Sequence, residues 1–257
     1  MATALITGGT SGIGAAFARA YAARGHDLVL VARNPDRLDQ TATILKDRYQ
    51  AAVETITADL GKRDDVQRVA DRLASAEQPV DILVNNAGFA VQGKLLDEDT
   101  TPHEHAVEVM VRAVMILSAT AGRVMRRRGG GTIINVSSTA GFVTLGNYSA
   151  IKAYVTTYTE ALACELAGSG VTATALCPGW VRTEFHQRAS IRTGGIPGPM
   201  WLDADSLVAE CLEDVAAGKV ISIPSLRYKV LMAGARHAPR GIIRAASRRL
   251  TSRRHSR

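Results

Sequence analysis

Short apolar runs rich in valine, isoleucine and leucine alternate along this chain with longer segments of helical periodicity. Each run has the nearly continuous apolar character of a strand covered on both faces, as the strands of parallel sheets are. Strands that alternate with helices predict an α/β fold, a Rossmann-like doubly wound parallel sheet of about seven strands flanked by helices. The predicted strands span residues 3–6, 27–31, 53–56, 82–84, 132–136, 171–176 and 220–223.

Helices are predicted between these strands, over residues 12–23, 35–49, 63–75, 102–128, 146–168 and 203–217. A chain of 257 residues with 46% hydrophobic content can bury one large core, and no linker divides it. We therefore predict a single domain over residues 1–235, followed by a basic, arginine-rich tail over residues 236–257.

The net charge of +7 arises from this tail, which holds eight arginines and no acidic residue. The rest of the chain has 23 basic and 24 acidic residues, so its charge gives no sign of a specific nucleic-acid partner. Arg240, Arg244 and Arg248 recur at helical spacing and predict an amphipathic helix, which could lie on an anionic membrane surface or dock an acidic protein. The alternative is a frayed, solubilising end over residues 251–257.

Cysteine usage and hydropathy indicate a cytoplasmic protein. Cys164, Cys177 and Cys211 are scattered through apolar segments, which is typical of reduced core thiols rather than of disulfides or a metal site. The first strand starts almost at the N-terminus, so no secretory signal is expected. No stretch reaches the roughly 18 apolar residues of a membrane span. We expect no bound metal.

A glycine-rich turn lies between the first predicted strand and the first helix, where residues 7–14 read TGGTSGIG. Such a turn lets backbone amides and a helix N-terminus approach a pyrophosphate. The motif alone is also compatible with a strand–helix turn that binds nothing.

Tyr148 and Lys152 lie four residues apart within the helix predicted over residues 146–168, ten residues after Ser138. That spacing puts the phenol and the ammonium on one helix face. A nearby cation stabilises phenolate, which brings the phenol pKa closer to a value useful for proton transfer. The spacing alone is common on helix surfaces, so its weight depends on the other motifs.

Five motifs in order resemble those of the short-chain dehydrogenase/reductase family over roughly residues 2–225. They are the glycine turn, NNAG at 85–88, NVSS at 135–138, the Tyr148/Lys152 pair, and PGWVRT at 178–183. The resemblance implies a catalytic domain that transfers a hydride between a nicotinamide cofactor and a carbonyl compound or secondary alcohol.

The resemblance also implies the catalytic roles. Tyr148 would protonate the carbonyl oxygen during reduction or take the alcohol proton in reverse. Lys152 would lower the phenol pKa and bind the nicotinamide ribose. Ser138 would hold the substrate oxygen and stabilise its developing charge. The neighbouring Ser137 is interpreted differently, as a small residue that closes the strand and takes no part in the chemistry.

Cofactor contacts are implied along the same motifs. Asp59 and Leu60 would flank the adenine, and Asn86 would lie near the adenosine ribose or act structurally in the central strand. Gly179 and Val181 would approach the nicotinamide. The full implied set is Gly8, Thr10, Ser11, Gly12, Ile13, Gly14, Asp59, Leu60, Asn86, Ala87, Gly88, Tyr148, Lys152, Pro178, Gly179, Val181 and Thr183.

Arg33 predicts the choice of cofactor. An acidic side chain at the end of the second strand would accept hydrogen bonds from the ribose 2′-hydroxyl of NAD. The strand instead ends Val31-Ala32-Arg33-Asn34, and the guanidinium of Arg33 suits a 2′-phosphate. We therefore expect NADP rather than NAD, although a solvated arginine at a helix start is the plainer interpretation.

Met110 departs from the family pattern, which usually has an asparagine there to hold a water chain leading to the lysine. A thioether accepts hydrogen bonds only weakly, so we expect the proton relay through Lys152 to be slower or rerouted, with the backbone carbonyl at 110 holding the water. The alternative function is a catalytically impaired dinucleotide-binding protein that serves interaction or redox sensing.

A loop over residues 184–202 resembles a mobile lid over the substrate. The predicted pocket is mainly apolar, although its residues could instead pack the core or a subunit interface. Members of the family usually pair through the helices predicted here over 102–128 and 146–168, which implies a homodimer or homotetramer. The predicted pocket residues are Phe142, Trp180, Phe185, Met200 and Trp201.

Overall fold

The computed structural model describes residues 1–91, 93–184 and 196–255, with side chains to residue 248. Its central sheet has seven parallel strands, as predicted. They are β1 Thr3–Thr7, β2 Asp27–Ala32, β3 Val53–Thr57, β4 Ile82–Asn85, β5 Gly131–Val136, β6 Val171–Leu176 and β9 Ile221–Ser222. Their order in the sheet is β3-β2-β1-β4-β5-β6-β9.

A small second sheet was not predicted. It pairs β7 Trp180–Val181 in parallel with β8 Trp201–Leu202, with Trp180 opposite Trp201 and Val181 opposite Leu202. The pair therefore joins the start of the turn after β6 to the end of the segment expected to be a lid. Of that segment, residues 185–195, including Phe185, lie outside the described residues.

Helices cover both faces of the central sheet. Ile133 and Leu83 lie in an apolar layer with α3, α5 and α6, whereas Ile6 and Leu28 lie in a layer with α1, α2 and α7. The described helices are α1 Gly12–Ala22, α2 Pro35–Tyr49, α3 Arg63–Ala74, α4 Thr101–Val107, α5 Ala113–Arg128, α6 Gly146–Glu165, α7 Ala204–Ala216, α8 Leu226–His237 and α9 Arg240–His255.

The helix expected over residues 102–128 is interrupted. A π-helical turn over Glu108–Arg112 separates α4 from α5, and Met110 lies at its centre. π turns inside α-helices are frequent at functional sites. The interruption includes position 110, where the family usually has the asparagine that holds a water chain.

The described part of the C-terminal segment packs against the rest of the fold. The predicted boundary after residue 235 falls inside α8, and α9 continues from Arg240. Ile243 and Ser247 on α9 are 8% and 4% exposed. The Ser247 hydroxyl accepts a hydrogen bond from the backbone N–H of Thr144, at 3.3 Å, in the segment that leads to α6.

The strand order reverses direction at β1 and β4, which are neighbours in the sheet. Ligands of doubly wound sheets bind outside the carboxyl ends of the strands at such a switch point. The turns after β1, β4, β5 and β6 therefore border one site. Among the described residues, no helix is both long and apolar enough to cross a membrane.

Candidate active site

Tyr148 and Ser138 meet at the carboxyl end of β5. Ser138 lies just past β5, and Tyr148 lies in the first turn of α6. Burial raises the pKa of Tyr148 to about 12, and the nearby Ser138 hydroxyl lowers it by less. The phenol therefore keeps its proton at neutral pH. The sequence predicted a lowered pKa, and this was wrong for the structure because burial is the larger effect.

Lys152 lies one turn further along α6, and its ammonium is 5.6 Å from the centre of the Tyr148 ring. The side chain is 5% exposed, and its Nζ donates a hydrogen bond to the Val136 carbonyl at 2.8 Å. Burial lowers the pKa of Lys152 to about 8, because taking an ammonium out of water disfavours its charged form. The structure thus brings phenol, hydroxyl and ammonium together on two adjacent elements.

Ser137 and Ser138 have different surroundings. The Ser137 hydroxyl is 2.7 Å from the Lys152 carbonyl and 2.7 Å from Thr156 Oγ1, both on α6, and its side chain is buried. Ser138 is only partly buried; its hydroxyl accepts from the Ala140 N–H at 3.1 Å and lowers the pKa of Tyr148. This geometry favours Ser138 for substrate contact and Ser137 for fastening α6 to β5.

The glycine turn has the backbone that a dinucleotide pyrophosphate requires. Gly8 and Gly12 have φ values of +67° and +53°, in the left-handed region. A Cβ on Gly14 would overlap the Gly8 carbonyl, so α1 packs closely against the turn. Within the described residues the Ser11 side chain makes no cap hydrogen bond at the start of α1. First-turn N–H groups therefore remain for a phosphate.

The remaining predicted residues of this turn are near their expected neighbours. Gly12 faces the Thr183 side chain, which would lie 3.1 Å from a Cβ on that glycine. Thr10 offers its carbonyl to Arg37 Nη2 at 3.4 Å. Ile13 packs against the apolar layer that contains α1. The turns after β1 and β6 thus approach each other, as a shared cofactor site requires.

Asn86 acts structurally. Its side-chain amide donates to the carbonyls of Thr7 at 2.9 Å and Gly8 at 3.2 Å. Sequence reasoning missed the partner: the Thr7 hydroxyl accepts the backbone N–H of Asn86 at 2.9 Å and of Ala87 at 3.0 Å. These bonds hold the turn after β4 against the glycine turn. Threonine directly before the first glycine was the available signal.

Asp59 and Leu60 follow β3. The Asp59 carboxylate accepts the Gly61 N–H at 3.0 Å, its own N–H donates to Asp65 at 2.7 Å, and Leu60 is buried. Both residues are therefore fixed at the carboxyl edge of the sheet, beside the end of β2.

Arg33 is exposed at the end of β2, where Asn34 accepts the Arg37 N–H at 2.8 Å and caps α2. Sequence reasoning missed Arg37, whose guanidinium lies 3.2 Å from the Glu184 carboxylate. Two arginines therefore stand at the end of β2. Arg37 also ties α2 to the start of the segment expected to be a lid.

Met110 is 1% exposed and belongs to the apolar core layer of α5 and α6. Its sulfur would lie 3.0 Å from a Cβ on Gly88, so a larger residue at 88 would press on Met110. The side chain fills apolar space beside the turn after β4. The π turn is thus present with methionine at its centre.

Tyr228 on α8 organises the turn after β6, and the sequence gave no motif for it. Its hydroxyl accepts the Trp180 N–H at 3.0 Å and donates to the Met200 carbonyl at 2.8 Å. A Cβ on Gly179 would overlap the Tyr228 ring. Pro178 is tied to the segment after β5, because its carbonyl accepts the Thr139 N–H at 3.0 Å. Tyr228 therefore holds together both ends of the small sheet.

Most of the predicted pocket residues contribute to packing. Phe142, Trp180 and Met200 are partly buried against a third apolar cluster that includes Tyr228 and Met232. Trp180 and Trp201 have ring centres 5.9 Å apart. Phe142 also lies under the Arg236 guanidinium, 5.0 Å from its ring centre. These residues form an apolar group along the turns after β5 and β6, and Phe142 lies four residues after Ser138.

A doubly wound parallel sheet with this glycine turn and a Ser-Tyr-Lys group at its carboxyl edge defines a dinucleotide-binding oxidoreductase. The family model for short chain dehydrogenase matches residues 2–193. The chain belongs to the short-chain dehydrogenase/reductase family. It is an NAD(P)-binding oxidoreductase that acts on CH–OH and C=O groups.

Relatives of known activity and structure cover most of the chain. Galactitol 2-dehydrogenase (L-tagatose-forming) of Cereibacter sphaeroides is 35% identical over 234 residues, which is 88% of this chain and 90% of that protein. A short-chain dehydrogenase from Sphingobium yanoikuyae, solved in complex with NADPH, is 37% identical with a TM-score of 0.84, covering 92% of this chain and 93% of that one. The bulky-bulky ketone specific alcohol dehydrogenase of Comamonas testosteroni is 31% identical with a TM-score of 0.79, covering 92% of each chain.

Proposed function

We propose that this enzyme is an NADP-dependent carbonyl reductase for apolar ketones or aldehydes, and that it can also oxidise the matching alcohols. The observation that carries the proposal is the buried Lys152 ammonium 5.6 Å from the centre of the Tyr148 ring, with the Ser138 hydroxyl close enough to lower the phenol pKa. This group lies at the sheet edge that also carries the glycine turn.

Each of the three side chains has a role in proton transfer. With a pKa of about 12, Tyr148 holds the proton that a carbonyl oxygen needs on reduction. Ser138 holds the same oxygen and stabilises its developing charge. The Lys152 ammonium, with a pKa of about 8, is charged at neutral pH and stabilises the phenolate left behind. A bound nicotinamide supplies or accepts the hydride.

The NADP preference rests on the charge at the end of β2. Arg33 is exposed there and carries the preference, because the guanidinium of Arg37, in the first turn of α2, is already paired with the Glu184 carboxylate. One guanidinium group can donate hydrogen bonds to two oxygens of a phosphate at once. The NADPH complex of the Sphingobium yanoikuyae relative is consistent with this preference.

The apolar substrate class rests on the apolar side chains of the turns after β5 and β6, namely Phe142, Trp180, Met200 and Trp201. Apolar lining with a few convergent polar groups is typical of small-molecule sites. The Comamonas testosteroni relative is specific for bulky-bulky ketones, which is in keeping with a wide apolar pocket.

A catalytically impaired dinucleotide-binding or redox-sensing protein is the second candidate, and Met110 is the observation that favours it. Its thioether replaces a hydrogen-bonding side chain beside the site and is packed in the core. The grouping of Ser138 and Tyr148 with the buried Lys152 ammonium favours catalysis.

The deciding experiment measures oxidation of NADPH and, separately, of NADH by the purified protein with a panel of apolar ketones and aldehydes. Tyr148→Phe is the matched control, because it removes the proton donor and keeps the ring. We expect this variant to lose about 10²- to 10⁴-fold in turnover, the usual contribution of a general acid. Turnover that is unaffected by Tyr148→Phe would refute the catalytic assignment, whereas tight NADPH binding without turnover would favour the second candidate.

Arg33→Asp tests the cofactor preference in the same assay. The carboxylate would repel a 2′-phosphate and accept the 2′-hydroxyl of NADH. We expect the ratio of kcat/KM for NADPH to that for NADH to fall by at least tenfold. Arg24→Gln, which removes an exposed arginine after α1, serves as the charge control. A ratio that does not change in Arg33→Asp would contradict the NADP assignment.

We also propose that the enzyme is a homodimer or homotetramer that pairs through α5 and α6. Val107, Met115 and Tyr154 on α4 to α6 are 40%, 40% and 37% exposed, and Tyr154 stacks on Tyr158. Light scattering gives the mass directly. The cytoplasmic location stays a prediction.

A further inference from the structure

The outward side of α8 carries three large apolar side chains that the described fold leaves in solvent. Leu226, Val230 and Leu231 are 75%, 66% and 51% exposed, while Tyr228 and Met232 on the opposite side are buried. Single exposed apolar residues are ordinary, but several on one side of a helix form a patch that commonly marks an interaction site.

The next helix continues these properties and adds positive charge. Ile242, in the first turn of α9, is 61% exposed. Arg240, Arg244 and Arg248 follow one another at four-residue spacing on α9 and are exposed. Residues 226–257 hold nine arginines, one lysine and no acidic residue, whereas the rest of the chain is close to neutral. One end of the molecule is therefore both apolar and cationic.

We propose that α8 and α9 form a docking surface for an anionic lipid bilayer. We define this α8–α9 surface by Leu226, Val230, Leu231 and Ile242 together with Arg240, Arg244 and Arg248. Helices that lie in a bilayer interface combine apolar side chains, which enter the acyl boundary, with Lys or Arg, which attract anionic headgroups. A nucleic acid or a purely acidic polypeptide would use the arginines but would leave the four exposed apolar side chains in water.

The position of this surface gives the proposal a consequence for substrate supply. Behind the exposed side of α8, Tyr228 contacts Gly179 and bonds Trp180 and Met200. Behind α9, Ser247 bonds the segment that precedes Tyr148. The two helices that carry the α8–α9 surface thus pack, through their buried sides, on the turns that border the candidate active site. An apolar ketone or alcohol dissolved in the bilayer would reach the site without crossing bulk water; this consequence rests on the proposed function, whereas the lipid binding does not.

Vesicle flotation with the full-length protein tests the docking. We expect binding to vesicles of mixed phosphatidylcholine and phosphatidylglycerol, weaker binding at high salt, and little binding to phosphatidylcholine alone. Arg240→Gln/Arg244→Gln should lower the partition coefficient about 30-fold, as expected for two cations removed from an anionic surface. Leu226→Ser/Val230→Ser should lower it at least tenfold, because acyl contact is lost.

Arg126→Gln/Arg127→Gln is the matched control, because it removes two exposed arginines from the end of α5. It should bind vesicles like the unmodified protein. An equal loss of vesicle binding in this control would show that net charge alone explains the binding, and it would overturn the proposal. So would binding to polyglutamate or DNA without binding to anionic vesicles.

A change of oligomeric mass in Leu226→Ser/Val230→Ser would identify the apolar patch as a subunit contact and would also overturn the proposal. Reductase activity is measured separately with a water-soluble ketone and no vesicles. Failure of lipid binding and failure of the proposed function are therefore distinguished.

Discussion

Lys152 is a buried ammonium whose pKa sits close to physiological pH. Its folded-state pKa of about 8 is below the ordinary lysine value of 10.5, because burial disfavours the charge. The group is charged below about pH 8 and neutral above it. Tyr148, with a pKa of about 12, stays protonated across this range. Lys152 therefore controls the pH dependence of reduction in this structure.

We expect kcat/KM for carbonyl reduction to be level below about pH 7 and to fall about tenfold per pH unit well above pH 8, as the Lys152 ammonium loses its proton. Initial rates with NADPH across pH 6 to 10 measure this. Lys152→Met should have a low rate with no inflection near pH 8. A level profile to pH 10 in the unmodified enzyme would contradict the role given to Lys152.

Ser137 and Ser138 are neighbours with opposite expected phenotypes. Ser138→Ala should lower kcat about 10²- to 10³-fold, as loss of one stabilising donor does, and leave the melting temperature nearly unchanged. Ser137→Ala should lower the free energy of unfolding by about 1–3 kcal/mol, because Thr156 loses a buried partner, while kcat changes little. Kinetics and thermal melts of both variants check this. The reverse pattern would exchange the two roles.

At the scale of elements, α8 and the turn after β6 fit together with almost no spare space. A Cβ on Gly179 would overlap the Tyr228 ring. We expect Gly179→Ala to raise KM and lower the melting temperature, because the turn or α8 must shift. Gly179→Ala introduced into the Tyr228→Ala variant should have a much smaller effect on KM and melting temperature, because the ring is absent. A double-mutant cycle on stability and KM measures this coupling. Additive effects would show that the two elements are independent.

The π turn around Met110 gives the second prediction at this scale. Met110→Asn would place a polar side chain at the centre of the π turn, where the family usually has its asparagine, so turnover should rise if the proton relay is limiting. It would also bury an amide at a site that is 1% exposed, so the melting temperature should fall. Single-turnover rates and thermal melts separate the two effects. An unchanged rate with lowered stability would show that methionine does not limit the relay.

How far the sequence predicts these elements depends on the range of the interactions. The strands and α1 were predictable because apolar periodicity and glycine spacing are local signals. The π turn was not, because it lies inside a continuous helical pattern and depends on packing around Met110. The roles of Tyr228 and Thr7 were also missed, since each bonds partners 28 to 80 residues away.

Buried polar contacts at the centre of the sheet illustrate the same limit. Asn135 on β5 accepts from Asn85 at 2.9 Å and Ser118 at 3.1 Å, and donates to Thr159 at 3.0 Å. The network joins β4, β5, α5 and α6. Its members are recognisable only after the strands are in register, because nothing in their sequence spacing brings them together.

At the scale of the whole molecule, the C-terminal helices connect the basic end to the candidate active site. α8 holds the turn after β6, and α9 holds the segment before Tyr148 through Ser247. The prediction of a domain over residues 1–235 with a separate tail implies that the fold does not need these contacts. The burial of Ile243 and Ser247 indicates instead that α9 stabilises the fold.

Truncation distinguishes the two descriptions. Removing residues 240–257 would expose the surface under Ile243 and break the Ser247–Thr144 bond. We expect a lower melting temperature, a free energy of unfolding reduced by about 2–4 kcal/mol and a raised KM for the carbonyl substrate, with NADPH affinity little changed. Removing only residues 251–257 is the control and should change none of these. If the longer truncation melts and turns over like the full chain, the C-terminal segment is an independent tail and the fold ends with α8.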